Sequence, residues 1–201
     1  MALFEKSQKI VGINEGGYQN DPRDKGNWYK GKLIGTNWGI SAPVLAKFLG
    51  RTPTVEDMKR LPRSTAEQIL KFNYWEANHF GKLANQSVAT LLYDGAVNHG
   101  VGGMRSLAEK ALIRLKHSVT KGKVFAVQGI ELLNKLNQKE LFNTLKVVRT
   151  ERYKASSQKE YINSWLNRLK RIQYIPESGS SNVVLGVLLF LLGFGLFFIG
   201  L

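Results

Sequence analysis

The alternation of apolar and polar positions along this chain is helical nearly throughout. Residues 3–14 carry Phe4, Ile10, Val11 and Ile13 at spacings that fit part of a helical face. The Gly16-Gly17 pair that follows is a strong helix stop, which predicts a first helix with Glu15 in its last turn. Ser41 stands where a cap would open a helix running to Gly50, Thr54 with Asp57 and Ser64 with Glu67 have capping-box spacing, and Asn137 with Glu140 repeats the device ahead of 141–154. In residues 87–98, Val88, Leu91, Leu92 and Val97 follow a helical period, and Asp94 and Asn98, four apart, fall on one face. Two polar side chains so placed either line a cleft together or form a buried hydrogen-bonded tie between helices. Strand material is confined to residues 32–40, where glycines at 31, 35 and 39 punctuate short apolar pieces in hairpin fashion. The expected fold is mainly α with one small β hairpin and no internal repeat.

From Pro176 the composition changes abruptly. Residues 176–182 read as a short flexible linker, and residues 183–201 contain no charge at all. A nineteen-residue helix spans about 28 Å against a hydrocarbon core of roughly 30 Å, so a transmembrane helix is expected there. Its glycines are out of Gly-x-x-x-Gly register, so no helix dimer is expected. Arg168, Lys170 and Arg171 precede it, and by the positive-inside tendency they hold the soluble part in the cytoplasm. The first six residues have no apolar run of signal-peptide length. These features together predict a membrane protein with a single carboxy-terminal anchor and a soluble part that starts on the cytoplasmic side.

Composition narrows the chemistry. The 201 residues include no cysteine, which excludes disulfides and thiolate catalysis, and the three histidines, His79, His99 and His117, lack the spacing of a zinc site. No metal or cofactor is expected. His99 alone falls in a segment with other candidate site residues, either as a structural or as a substrate-contacting group. The net charge of +14 favours polyanionic partners such as nucleic acid, anionic lipid or an acidic wall polymer. Residues 1–99 hold 13 basic and 9 acidic side chains, and residues 100–201 hold 16 and 6, so most of the excess lies in the second half. The basic residues are not interleaved with aromatics as a nucleic-acid stacking groove would require.

Glu15 offers a specific chemistry. At the end of a helix, the negative end of the dipole and burial against apolar neighbours both disfavour a charged carboxylate, which suits a proton donor. The alternative is an ordinary solvated glutamate before a glycine turn. Downstream, Asp21 and Asp24 are the nearest carboxylates, and each is also a residue type that commonly builds turns.

Glu15-Gly16-Gly17-Tyr18, Asn20-Asp21-Pro22, Asp24 and Gly26, then Thr36-Asn37-Trp38-Gly39-Ile40-Ser41 resemble the signature of glycoside hydrolase family 108, whose members are peptidoglycan-cleaving muramidases. Tyr74-Trp75 and Tyr93-Asp94-Gly95-Ala96-Val97-Asn98-His99-Gly100 resemble the family's second block. The stretch from about residue 102 to 173, with Arg149, Tyr153 and Trp165-Leu166-Asn167-Arg168, is similar to the helical peptidoglycan-binding region that commonly follows this domain. One departure stands out: residues 27–35 form a longer loop where shorter relatives place a compact turn.

The resemblance implies a lysozyme-like helical domain over residues 1–101 and a helical peptidoglycan-binding-like region over 102–175 packed on it, to which composition adds the 176–182 linker and the 183–201 membrane helix. It implies cleavage between N-acetylmuramic acid and N-acetylglucosamine, with Glu15 as general acid; for the second role Asp24 is the best-placed carboxylate, with Asp21 behind it as the other candidate base for an attacking water, and the motif match suggests Thr36 as the group that positions that water. Tyr18, Asn20, Asp21, Trp38, Tyr93, Asp94 and Asn98 are the implied substrate-binding residues, while Trp75 and Trp165 are expected in the core. The partners are peptidoglycan strands, the membrane through the last helix, and a holin-like lesion or secretion route that admits the enzyme to the wall. A non-catalytic, membrane-anchored peptidoglycan-binding protein is the alternative.

Overall fold

The computed structural model describes residues 1–13 and 16–176. Its elements are α1 (Phe4–Val11), a hairpin of β1 (Trp28–Tyr29) and β2 (Lys32–Leu33), α2 (Ala42–Leu49), α3 (Val55–Lys59), α4 (Arg63–Leu70), α5 (Gln86–Arg114), α6 (Val127–Lys135), α7 (Gln138–Lys154) and α8 (Ile162–Arg171). Among the described residues the fold is mainly helical with one small sheet, as the periodicity predicts. The residues of the expected transmembrane helix, 183–201, lie outside the described part. No helix among the described residues is long and apolar enough to cross a membrane.

α5 is the axis of the molecule. Every residue from Ser87 to Ala96 is buried, so this half of the helix is covered on all sides rather than along one face. α1 packs on one flank and α7 on another, and α7 in turn carries α6 and α8. Gly100 breaks α5 with φ 72° and ψ 156°, a conformation essentially restricted to glycine. The boundary expected near residue 101 lies beside this kink, where two helical segments meet. Buried apolar side chains from both sides of it join a single core. At its centre Phe4, Trp75, Tyr93 and Phe80 meet edge to face with centroids 5.6–6.1 Å apart, the arrangement that ring quadrupoles favour.

The local signals fare unequally. Thr54 and Asp57 form the expected reciprocal capping box, and the Asn137 side chain accepts from the Glu140 amide. Ser64 does not cap: α4 opens two residues earlier than that cap would place it, behind Pro62, whose fixed φ suits that place, and Glu67 pairs with Arg63 instead. Ser41 stands at the start of α2 without a side-chain hydrogen bond, and Gly50 ends that helix in the left-handed conformation.

Two further expectations are corrected. α1 stops at Val11 with Gly12 as its cap, so the helix expected to run on to Glu15 ends before it, and Glu15 itself lies outside the described residues. Glycine's low helix propensity at position 12 ends the helix before the Gly16-Gly17 pair is reached. The hairpin also lies earlier than residues 32–40: Trp28 pairs with Leu33 and Tyr29 with Lys32 across a Lys30-Gly31 turn with φ 46° and 75°, the two positive values a tight hairpin turn needs. The apparent loop insertion of residues 27–35 is thus the hairpin itself.

Candidate active site

The segment after Gly17 is held by side chains rather than by regular structure. Gln19 and Thr36 exchange two backbone hydrogen bonds of 2.9 and 2.8 Å. Asn27, fully buried, ties the loop from within: its Nδ2 donates to Gln19 Oε1 and to the Asp21 carbonyl, both at 2.8 Å, while its Oδ1 accepts from Thr36 Oγ1 at 2.6 Å and Gln19 Nε2 at 3.1 Å. Asp24 caps the short turn of 25–27 by accepting from the Gly26 amide at 2.8 Å, and its other oxygen accepts from Gln19 Nε2 at 3.1 Å. Asp21 faces outward against Arg23, with Nη2 to Oδ2 at 2.7 Å, and accepts from the Tyr161 hydroxyl at 2.8 Å. The Arg23 hydrogen bond, aided by Tyr161, holds the Asp21 carboxyl well below the usual carboxylate range and so permanently charged near neutral pH.

The second half of the chain is fixed to α5 by buried charge. Asp94 has no exposed surface; its two oxygens meet Arg149 Nη2 and Arg168 Nε, each at 2.7 Å. Burial alone would push its pKa up, but the combined attraction of the two guanidinium groups outweighs that and holds it below the ordinary value. Arg149, also fully buried, donates further to the Leu91 carbonyl and to the Tyr153 hydroxyl. The Tyr153 hydroxyl in turn donates to Asn98 Oδ1 at 2.9 Å. His99 leans on the Tyr153 ring at 4.9 Å, and desolvation, reinforced by Arg149, lowers its pKa to about 3, leaving a neutral imidazole. Trp165 stacks on Tyr153 at 5.4 Å and Tyr161 follows at 5.8 Å, completing a column of four rings.

Between the loop and this column runs a groove of about 740 Å³. Gln19, Asp21 and Asp24 form one wall; Asn98, His99, Tyr153, Gln158, Tyr161 and Trp165 belong to the other. Of the residues expected to bind substrate or act on it, the structure brings Asp21, Asp24 and Asn98 to this groove. Glu15 lies outside the described residues. Thr36 is half-buried with its hydroxyl given to Asn27. Tyr18 is half-buried, donates to the Ile34 carbonyl and carries Lys59 over its ring. Asn20 is exposed, and Trp38 sits in a positive-φ turn beneath Arg63. Neither Tyr93 nor Asp94 reaches the groove. Tyr93 is core, with its hydroxyl on Gln8 Oε1 at 2.6 Å, and Asp94 is the buried tie, because this part of α5 has no exposed side.

Trp75 is in the core as expected, but Trp165 is not: it is half-buried and lines the groove. Gln158 and Tyr161 carry no motif of their own; the aromatic spacing Tyr153, Tyr161, Trp165 was the available signal. Among the described residues no cluster of three or more His, Cys, Asp or Glu could hold a metal ion.

The site is thus a polar groove between a small hairpin loop and the helical second half of the chain, in a mainly helical body. The family model described as Glycosyl hydrolase 108 matches residues 8–100. Among solved structures the chain is similar to SagA of Brucella abortus, with 24% identity over 84% of this chain and 90% of that one and a TM-score of 0.71, a likeness of fold. Among curated proteins none matches.

Proposed function

We propose that the enzyme cleaves the glycan strand between N-acetylmuramic acid and N-acetylglucosamine, with Glu15 delivering the proton to the bridging oxygen. The observation that supports this is the meeting of the two family-like blocks in one groove: Asp21 and Asp24 from the first, Asn98 and His99 from the second. A glycosidase of this kind needs one carboxyl that donates a proton and one group that stabilises the sugar cation or activates water. Asp24 suits the second role. Each of its oxygens accepts one protein hydrogen bond and keeps a free lone pair, whereas Asp21 is committed to Arg23 and Tyr161. Thr36 acts indirectly, by holding Asn27 and through it the Asp24 turn.

Glu15→Gln is expected to abolish clearing of a peptidoglycan suspension with helicity unchanged by circular dichroism; full clearing by that variant rejects the assignment. Mass analysis of the released fragments tells hydrolysis from lytic transglycosylation, since a reducing end and an anhydro sugar differ by one water.

The uncharged residues 183–201 support a membrane anchor on sequence grounds, with the catalytic part held inside until a holin-like lesion or a secretion route opens, as a phage-type lysis protein requires. Protease added to intact spheroplasts should leave the catalytic part whole before any lesion.

A further inference from the structure

The two walls of the groove differ in what they leave unused. On the loop wall the Gln19 amide is spent on Asp24 and Asn27, and Asp21 on Arg23 and Tyr161. On the helical wall, among the described residues, the Trp165 indole N–H, the Asn98 Nδ2, the Gln158 side-chain amide and the Arg152 guanidinium donate to no protein group, and all four residues line the groove. The wall that carries these donors is rigid, because Asn98 and Trp165 are both fixed on Tyr153, which Arg149 holds in turn. Unused donors on a wall held by buried contacts are what a binding site for an acceptor-rich ligand looks like.

We propose that the helical wall is a substrate-binding subsite of the cleft itself, in which Trp165, Asn98 and Gln158 hold the carbonyl and hydroxyl oxygens of an N-acetylated sugar and Arg152 pairs with a carboxylate on its substituent. The far half of the chain then grips short soluble glycans, not only insoluble wall. This rests on the glycan-cleaving reading above but makes a separate demand, that the ligand touches residues 152–165.

Binding to the full chain is measured by titration calorimetry with two soluble ligands: an uncharged N-acetylglucosamine oligosaccharide and a peptide-bearing glycan fragment released from wall. Trp165→Phe keeps a ring in the column and deletes the donor; Arg152→Gln, on an exposed side chain, removes the charge. Loss of one hydrogen bond should weaken binding about three- to tenfold. Trp165→Phe is expected to weaken both ligands by this factor, and Arg152→Gln only the carboxylate-bearing one. Unchanged affinities for both ligands in both variants, or no binding of either ligand to the wild type, overturns the subsite. A wild type that binds with these dependences yet releases no fragments from wall defeats the proposed cleavage and leaves the subsite standing. A wild type that cleaves wall with variant affinities unaltered does the reverse.

Discussion

The loop wall and the helical wall of the groove are held by different forces acting over different distances. Gln19, Asp24, Asn27 and Thr36 secure the loop wall through neutral and singly charged hydrogen bonds within a span of 18 residues. The helical wall depends on Asp94, Arg149 and Arg168, which meet across sequence separations of 55 and 74 residues in an environment with almost no water. Between the two walls, Tyr161 reaches over to Asp21. A local network can fail without taking the fold with it, whereas a buried charge that loses its partner has nowhere to be solvated. The two walls should therefore respond to damage on different scales.

The largest separation comes from Arg149→Ala. It leaves Asp94 buried against Arg168 alone and strips the Tyr153 hydroxyl of its donor, and removing one partner of a buried pair costs about 3–5 kcal/mol. Urea unfolding should show that loss, and the near-ultraviolet circular dichroism of the Trp165 column should collapse with it. Arg149→Lys should recover little, since one ammonium cannot reach Asp94, Leu91 and Tyr153 together. A loss under about 1 kcal/mol would mean that the triad is not what fixes the helical wall.

Asn27→Ala strikes the loop wall instead. It deletes four side-chain hydrogen bonds and takes the Asn27 partner from the Thr36 hydroxyl and the Asp21 carbonyl, at a cost of about 1–3 kcal/mol. The contrast with Arg149→Ala is sharpest in two signals. Exchange protection of the Thr36 amide, bonded to the Gln19 carbonyl, should fall in Asn27→Ala, while the near-ultraviolet spectrum stays native. If both variants lose both signals together, the walls are one cooperative unit and the distinction drawn here fails.

What could be read from the residues alone follows the same division. The Thr54–Asp57 box, the Asn137 cap and the Gly50 stop are contacts within a few positions, and spacing reveals them. So does the helix carrying Asp94 and Asn98, but not its surroundings. A helix buried all round hides its tertiary partners from any one-face pattern, and Asp94 went to Arg149 and Arg168, far along the chain, while Asn98 four residues on reached the groove. The spacing left both a cleft pair and a buried tie open, and the structure divides them, one residue to each. The hairpin was displaced because Trp28-Tyr29 precedes a Lys-Gly turn, a weaker signal than the later glycines that drew attention to residues 32–40. The helical half of the groove was least legible, since Gln158, Tyr161 and Trp165 acquire meaning only once α8 folds back over α7.

The smallest effect lies where the helical wall meets the groove, and it is a matter of pH. His99 sits among Asp94, Arg149, Arg152 and Arg168 against the Tyr153 ring, with its pKa lowered to about 3 in the fold and an ordinary value near 6.5 in the unfolded chain. Between those values the unfolded chain takes up a proton that the fold refuses, so stability is fully present above about pH 6.5 and drains away as pH falls toward 3. Asp21, Asp57 and Asp94 are also held below their ordinary values, but their contribution is lost only on falling below the normal carboxylate range. The interval from pH 6.5 to 5 thus isolates the imidazole. Because His99 keeps some exposure, wild type should lose only about 1 kcal/mol more than His99→Gln across that interval, well under the limit of about 1.4 kcal/mol per pH unit. Equal slopes for the two proteins in urea midpoints at pH 6.5 and 5 would show that this imidazole can take up its proton without unfolding the wall around it.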